Sequence, residues 1–211
     1  VKEAVDYTLY LVTDRPLCRP KALCDVVREA VLGGVTVVQL REKHCTTVNF
    51  VRIAERLLTL LRSLGIPLII NDRIDIAHKV GADGVHLGQS DNACEEAREV
   101  LGPDAIIGYS VETLEQAQKA QELDIDYLGV SPIFVTSTKP ELTQAWGLDG
   151  LARLRDTTRL PLVAIGGMDA SNAAAVRSAG ADGIAVVSAI CAAPDPRAAA
   201  QTLRRAMRTD A

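Results

Sequence analysis

The sequence predicts an α/β protein of one domain, residues 1–211, folded as a (β/α)₈ or TIM barrel. Three observations carry that expectation. Eight short runs rich in Val, Ile, Leu and Tyr, each bounded by Gly, Pro, Asp or Ser, recur along the chain. The segments between them repeat apolar residues at helical spacing, so strand and helix candidates alternate. Strict alternation calls for parallel strands with crossover helices, and eight such units in 211 residues close into a barrel near the lower size limit of that fold. An open doubly wound sheet competes, but the chain has neither a G-x-G-x-x-G after its first strand nor a G-x-x-x-x-G-K-[ST] loop.

In order, the strands are expected at 9–13, 35–40, 67–71, 84–87, 105–110, 127–131, 161–165 and 183–187. Before the third, Phe50, Ile53, Leu57, Leu60, Leu61 and Leu64 form one apolar helical face; before the eighth, Ala173, Val176, Ala179 and Gly180 form another. Two similar phrases, Gly81-Ala82-Asp83-Gly84 and Gly180-Ala181-Asp182-Gly183, each place a helix-ending glycine, a turn aspartate and a second glycine directly before a strand. Both read as short connections on the floor of the barrel, as does Gly33-Gly34 before the second strand.

Composition narrows the function. Lys plus Arg number 23 and Asp plus Glu 27, a net charge of −4, so there is no global field for nucleic acid or anionic membrane. An anionic substrate must then be held by local cations. No apolar run approaches the roughly 20 residues of a membrane span. Residues 1–6 lack the basic and apolar regions of a secretory signal, and the expected location is the cytoplasm. The chain starts on Val1 rather than Met, which leaves room for a preceding segment. The five cysteines (18, 24, 45, 94 and 191) include no C-x-x-C pair and read as reduced thiols, and His44, His78 and His86 show no metal-ligand repeat. Nothing in the sequence sets the oligomeric state.

In a barrel, chemistry gathers at the C-terminal ends of the strands. After strand two, Gln39, Arg41 and Lys43 share one side by period two: an amide and two cations, suited to a heteroaromatic group joined to phosphate. Rim salt bridges around Glu42 are the plainer alternative. Asn71-Asp72 after strand three and Asp91 after strand four could hold a hard Mg²⁺ ion or merely cap the helices that follow. Ser110 ends strand five, either as a hydroxyl at the mouth or as a helix cap. His86, inside strand four, reads as a buried, hydrogen-bonded histidine. The long connection 132–146 carries Thr136, Ser137, Thr138 and Lys139, a set suited to an oxyanion unless the segment is disordered. Trp146 reads as packing. Gly166-Gly167 and Val187-Ser188 close strands seven and eight, where this fold commonly binds phosphate through backbone amides.

Together Gln39-Leu40-Arg41-Glu42-Lys43, Asn71-Asp72, residues 84–91 (GVHLGQSD), Thr136-Ser137-Thr138-Lys139, Gly166-Gly167 and Val187-Ser188 resemble the thiamine-phosphate synthase family, in order and over nearly the whole chain. The resemblance implies an enzyme joining hydroxymethylpyrimidine diphosphate to hydroxyethylthiazole phosphate, with both phosphorylated small molecules held in one barrel. It implies Gln39 on the pyrimidine, Arg41, Lys43, Asn71 and Lys139 on the diphosphate, and Asp72 and Asp91 on Mg²⁺. Ser110 would lie against the pyrimidine diphosphate, and Thr136, Thr138, Gly167, Val187 and Ser188 would hold the thiazole phosphate. Arg41, Lys43 and Lys139 are the expected catalytic cations. Glu112 departs from the pattern, standing where many synthases and the related thiazole tautomerases carry histidine. A tautomerase-type isomerase and a non-catalytic binder of thiamine intermediates are the alternatives.

Overall fold

A computed structural model of the chain describes residues 4–89, 93–135 and 145–208. The eight expected strands are all present, each within two residues of its expected bounds: β1 (Leu9–Val12), β2 (Val37–Leu40), β3 (Leu68–Asn71), β4 (Gly84–Leu87), β5 (Ile106–Val111), β6 (Tyr127–Val130), β7 (Leu162–Ile165) and β8 (Gly183–Val186). All pair in parallel in sequence order, and β8 returns to β1 with Leu9 opposite Ile184. The sheet is a closed barrel.

Between the strands lie α1 (Arg15–Cys18), α2 (Leu23–Leu32), α3 (Thr47–Arg62), α4 (Ile74–Val80), α5 (Ala93–Leu101), α6 (Leu114–Lys119), α7 (Gly147–Thr157), α8 (Ala173–Ser178), α9 (Ser188–Cys191) and α10 (Pro196–Ala206). Their starts follow side-chain chemistry. The Thr113 hydroxyl accepts from Gln116 N and the Gln116 side chain answers the Thr113 backbone, a reciprocal cap, while Asp195 accepts from Ala198 N ahead of Pro196. Alternation along each strand then divides the core. Leu9 and Leu11 face the helices, with Phe50, Leu57 and Leu61 of α3 packed in the same layer. Tyr10, Val12, Val37, Ile69, Tyr127 and Val163 fill the barrel interior. All five cysteines are free thiols. Among the described residues no helix is long and apolar enough to cross a membrane.

At the barrel floor, four residues form one repeated clamp: Thr36, Asp83, Asp126 and Asp182, each directly preceding an even-numbered strand. The side-chain oxygen of each accepts a backbone N–H from the start of the odd strand before it: Leu9 (3.2 Å), Leu68, Ile107 and Leu162 (each 2.8 Å). The backbone N–H of each donates back to the carbonyl of that same residue. The clamp satisfies donors that the ladder leaves open at strand starts. Arginines brace two of the carboxylates, Arg98 at Asp126 and Arg155 at Asp182. The glycines that follow Asp83 and Asp182 are demanded by space: a Cβ on Gly84 would lie 1.9 Å from Ile106 O, and one on Gly183 1.8 Å from Tyr7 O. Replacing Asp126 with alanine strands the Ile107 amide and is expected to lower unfolding free energy by about 1–3 kcal/mol. A urea midpoint equal to that of the parent chain would show that the clamp contributes no stability.

Candidate active site

A cavity opens at the C-terminal ends of the strands, and every strand or the residues just after it contributes to its wall. Gln39, Arg41, Asn71, Ser110, Gly167, Val187 and Ser188, all expected from sequence, line it together. Val12, Val163, Ile165, Met168 and Ala185 supply apolar wall between these polar groups. Such a mixture suits a flat heteroaromatic ring carrying a charged substituent.

Arg41 is held at the top of β2 by its backbone: its N–H donates to the hydroxyl of the fully buried Thr13, and Thr13 N–H donates to Gln39 O. Neighbouring Glu42 does form a rim ion pair, but with Arg15, through two contacts of 2.9 and 3.0 Å. Neither Arg41 nor Lys43 is ion-paired with a described residue, so the salt-bridge alternative accounts for Glu42 and not for the two cations. Lys43 is exposed and stands outside the cavity lining.

Asp72 lies at the end of β3, exposed, beside the cavity residue Asn71, whose Nδ2 donates to Asp72 Oδ2 at 2.6 Å. It does not cap α4. The residue in the cap position is Arg73, with no side-chain cap bond, and its guanidinium is turned to Asp75, whose carboxyl it holds below the usual range. Asp72 instead has φ +62°, a left-handed conformation costing a non-glycine residue about 1–3 kcal/mol, pinned by its N–H on His86 O at 3.0 Å. A strained, exposed carboxylate free of capping duty, at the end of a barrel strand, is a suitable ligand for a hard cation. Asp91, the other expected metal ligand, and Thr136, Thr138 and Lys139 of the hydroxyl-lysine loop lie outside the described residues.

Ser110 likewise does not cap the helix after β5; Thr113 does. Glu112 is exposed and lines a separate depression with Thr113 and Trp146 rather than the cavity. Trp146 packs against the main core, as expected. Behind β7, Gly166 has φ +102°, and a Cβ there would lie 2.9 Å from Pro132 Cα. The two strand ends are joined at that point by Ile133 N–H to Ile165 O and Phe134 N–H to Gly166 O. Gly167 O accepts from Asn172 Nδ2, and α9 begins at Ser188 beside it in the cavity wall. Unsatisfied amides at a helix start attract anions.

Tyr10 and Tyr127, which the sequence reading places only within strands one and six, also reach the site. They form the centre of a hydrogen-bonded chain across the cavity floor. Gln39 Nε2 donates to Tyr10 Oη (3.0 Å), Tyr10 Oη lies 2.7 Å from Tyr127 Oη, and Tyr127 Oη lies 2.8 Å from His86 Nδ1. His86 Nε2 lies 2.8 Å from Ser110 Oγ, so the hydrogen-bonded histidine read from sequence is present, half-buried. Two glycines make room. A Cβ on Gly108 would lie 2.1 Å from the Tyr127 ring, and one on Gly129 2.8 Å from His86 Cε1.

A closed barrel with a mixed polar and apolar cavity at the strand C-termini defines the class: a barrel enzyme acting on a small molecule. Comparison with known proteins gives the family. The thiamine monophosphate synthase family model matches residues 9–190. A thiamine-phosphate synthase of Albidiferax ferrireducens is 56% identical over 197 residues, 93% of this chain and 90% of the relative. One of Syntrophomonas wolfei is 50% identical over 95% of this chain and 96% of its own. The solved thiamine phosphate pyrophosphorylase of Pyrococcus furiosus superposes with a TM-score of 0.87 at 40% identity, covering 96% of both chains. This chain belongs to the thiamine monophosphate synthase family and is a transferase of thiamine biosynthesis.

Burial pushes the Tyr10 and Tyr127 phenols well above their usual 10.0. In the unfolded chain they ionise near 10, so the stability that their burial provides is fully present below that pH and falls as pH rises through and beyond it. Urea midpoints should drop between pH 8 and pH 10.5, and the drop should be smaller in Tyr127→Phe. Equal slopes in the two proteins would contradict this origin.

Proposed function

We propose that the enzyme joins 4-amino-2-methyl-5-hydroxymethylpyrimidine diphosphate to 4-methyl-5-(2-phosphoethyl)thiazole, giving thiamine phosphate and pyrophosphate, with Mg²⁺ as cofactor. The observation that carries this reading is a single cavity lined both by an amide–cation set at the ends of β2 and β3 (Gln39, Arg41, Asn71) and by a glycine and helix-start set after β7 and β8 (Gly167, Val187, Ser188). That arrangement offers places for two anionic groups with an apolar-walled floor between them.

In the proposed reaction the bond between the pyrimidine methylene carbon and the diphosphate oxygen breaks first. Electron donation from the 4-amino ring stabilises the methylene cation, and the thiazole nitrogen lone pair then forms the new C–N bond. The departing oxygen keeps the bonding pair, so the barrier depends on how well that charge is met. Arg41, with Lys43 and Lys139, would supply preorganised positive charge at the diphosphate. Mg²⁺ held by Asp72 and Asp91 would add charge neutralisation on the same oxygens. The exposed Asp72 carboxylate beside Asn71 supports that assignment. Thr136 and Thr138 would join Gly167, Val187 and Ser188 around the thiazole phosphate. No protein nucleophile is needed, and the apolar wall would keep water from the cation. Five free thiols fit a cytoplasmic place of work.

The test is pyrophosphate release from the purified protein with the pyrimidine diphosphate, with or without the thiazole phosphate, in Mg²⁺ or EDTA. Release is expected only with both substrates and Mg²⁺, matched by thiamine phosphate. No release from folded protein would contradict the reading and favour a tautomerase-type isomerase. Arg41→Ala should lower kcat by about 10²–10³-fold. Asp91→Ala should abolish Mg²⁺-dependent turnover with an unchanged circular dichroism spectrum; full activity in that variant would refute the metal assignment.

A further inference from the structure

The chain of hydrogen bonds from Gln39 to Ser110 has four links, each of which needs one proton. Tyr10 and Tyr127 contribute one hydroxyl proton apiece, and both rings are buried, so a phenol proton without an acceptor is costly. Only two arrangements of a neutral chain place one proton on every link. In one, Gln39 donates to Tyr10, Tyr10 to Tyr127, and Tyr127 to His86 Nδ1, which leaves the proton on Nε2 to donate to Ser110 Oγ. In the other every direction reverses, and the Gln39 carbonyl must replace the amide NH₂ at Tyr10. Any mixed arrangement leaves one link with two protons or with none, as when both phenols turn outward and set bare oxygens 2.7 Å apart.

Gln39 Nε2 points at Tyr10, which selects the first arrangement. The Gln39 Oε1 acceptor then makes no hydrogen bond to a described residue, and Gln39 lines the cavity. At the far end, Ser110 Oγ accepts from His86 and keeps its own proton to donate. A ring in this cavity therefore meets an acceptor at Gln39 and a donor at Ser110. A lone glutamine side chain could flip to suit either kind of ring. Here a flip must reverse two phenols and the histidine tautomer as well.

We propose that Tyr10, Tyr127 and His86 are positioning residues that lock the Gln39 amide as an acceptor, so that the site selects a 4-aminopyrimidine over its 4-oxo counterpart. The inference rests on the pyrimidine diphosphate reading above and adds the residues that enforce its ring specificity. An amino group donates to Oε1, whereas a 4-oxo group sets oxygen against oxygen. Tyr127→Phe cuts the chain: Tyr10 can then turn its proton to Gln39, and the amide is free to flip.

Dissociation constants for 4-amino-2-methyl-5-hydroxymethylpyrimidine diphosphate and for its 4-oxo analogue, measured by calorimetry without the thiazole substrate, test this in the parent, Tyr127→Phe and Tyr10→Phe. The parent should prefer the amino ring by about 100-fold or more. Both variants should lose at least tenfold of that preference while binding the thiazole phosphate within about twofold of the parent. A preference retained in both folded variants would overturn the inference and leave the reaction assignment standing. A parent that binds neither pyrimidine would overturn both. In the parent itself, nitrogen NMR should show His86 protonated on Nε2 and bare on Nδ1, a signature that a merely space-filling role does not require. The opposite tautomer would overturn the locked direction even if a variant failed to fold.

Discussion

The parallel ladder that β8 closes against β1 is the constraint on which the rest depends. Closure leaves no free sheet edge and brings the C-terminal ends of eight short strands around one opening. Residues far apart in sequence thereby become neighbours: Tyr10 and Tyr127, 117 positions apart, share a hydrogen bond. The clamps at the opposite end serve the same geometry. By tying even strands to odd ones through Thr36, Asp83, Asp126 and Asp182, they fix where each pair begins, and with strands of mostly four residues that also fixes where each pair ends.

The two ends of the barrel divide the work. Stability resides at the floor and in the apolar layer between sheet and helices. The C-terminal end carries Arg41, which has no ion pair among the described residues, the strained Asp72 and the positive-φ glycine turn at Gly166. Between them the interior holds a polar chain, which a low-dielectric core tolerates only when every member is satisfied. Its presence beneath the cavity, where apolar packing would have been simpler, is the ground for the recognition role proposed for it. The same chain joins Gln39 on one wall to Ser110 on another, so the two groups proposed to meet the ring are set together.

The fold was legible because its signals are local and repeated: β-branched runs, helical faces and the Asp-Gly turns before β4 and β8. Two clamps were not legible. Thr36 and Asp126 do the work of Asp83 and Asp182 without the Gly-Ala-Asp-Gly phrase, so only the structure shows that all four are one device. At the site, Gln39, Arg41, Asn71, Ser110 and the two strand-end pairs were readable because polar residues at the ends of apolar strands stand out. Tyr10 and Tyr127 did not stand out, since tyrosine in an apolar run has the pattern of core and its hydroxyl partner is set by barrel closure. The capping alternatives for Asp72 and Ser110 needed the structure too, because cap geometry depends on where a helix begins. Here those positions belong to Arg73 and Thr113.

On the proposed reaction, one cavity holds a diphosphate with its metal beside Arg41 and a second phosphate beside Gly167 and Ser188. Crystals grown with Mn²⁺, pyrophosphate and thiamine phosphate test it directly through the anomalous signal of the metal. Manganese is expected on Asp72 and Asp91, pyrophosphate on Arg41 and Asn71, the aminopyrimidine ring between Gln39 and Ser110, and the thiamine phosphate group on Gly167, Val187 and Ser188. Metal bound away from Asp72, or the product phosphate on Arg41 with the glycine turn empty, would contradict it.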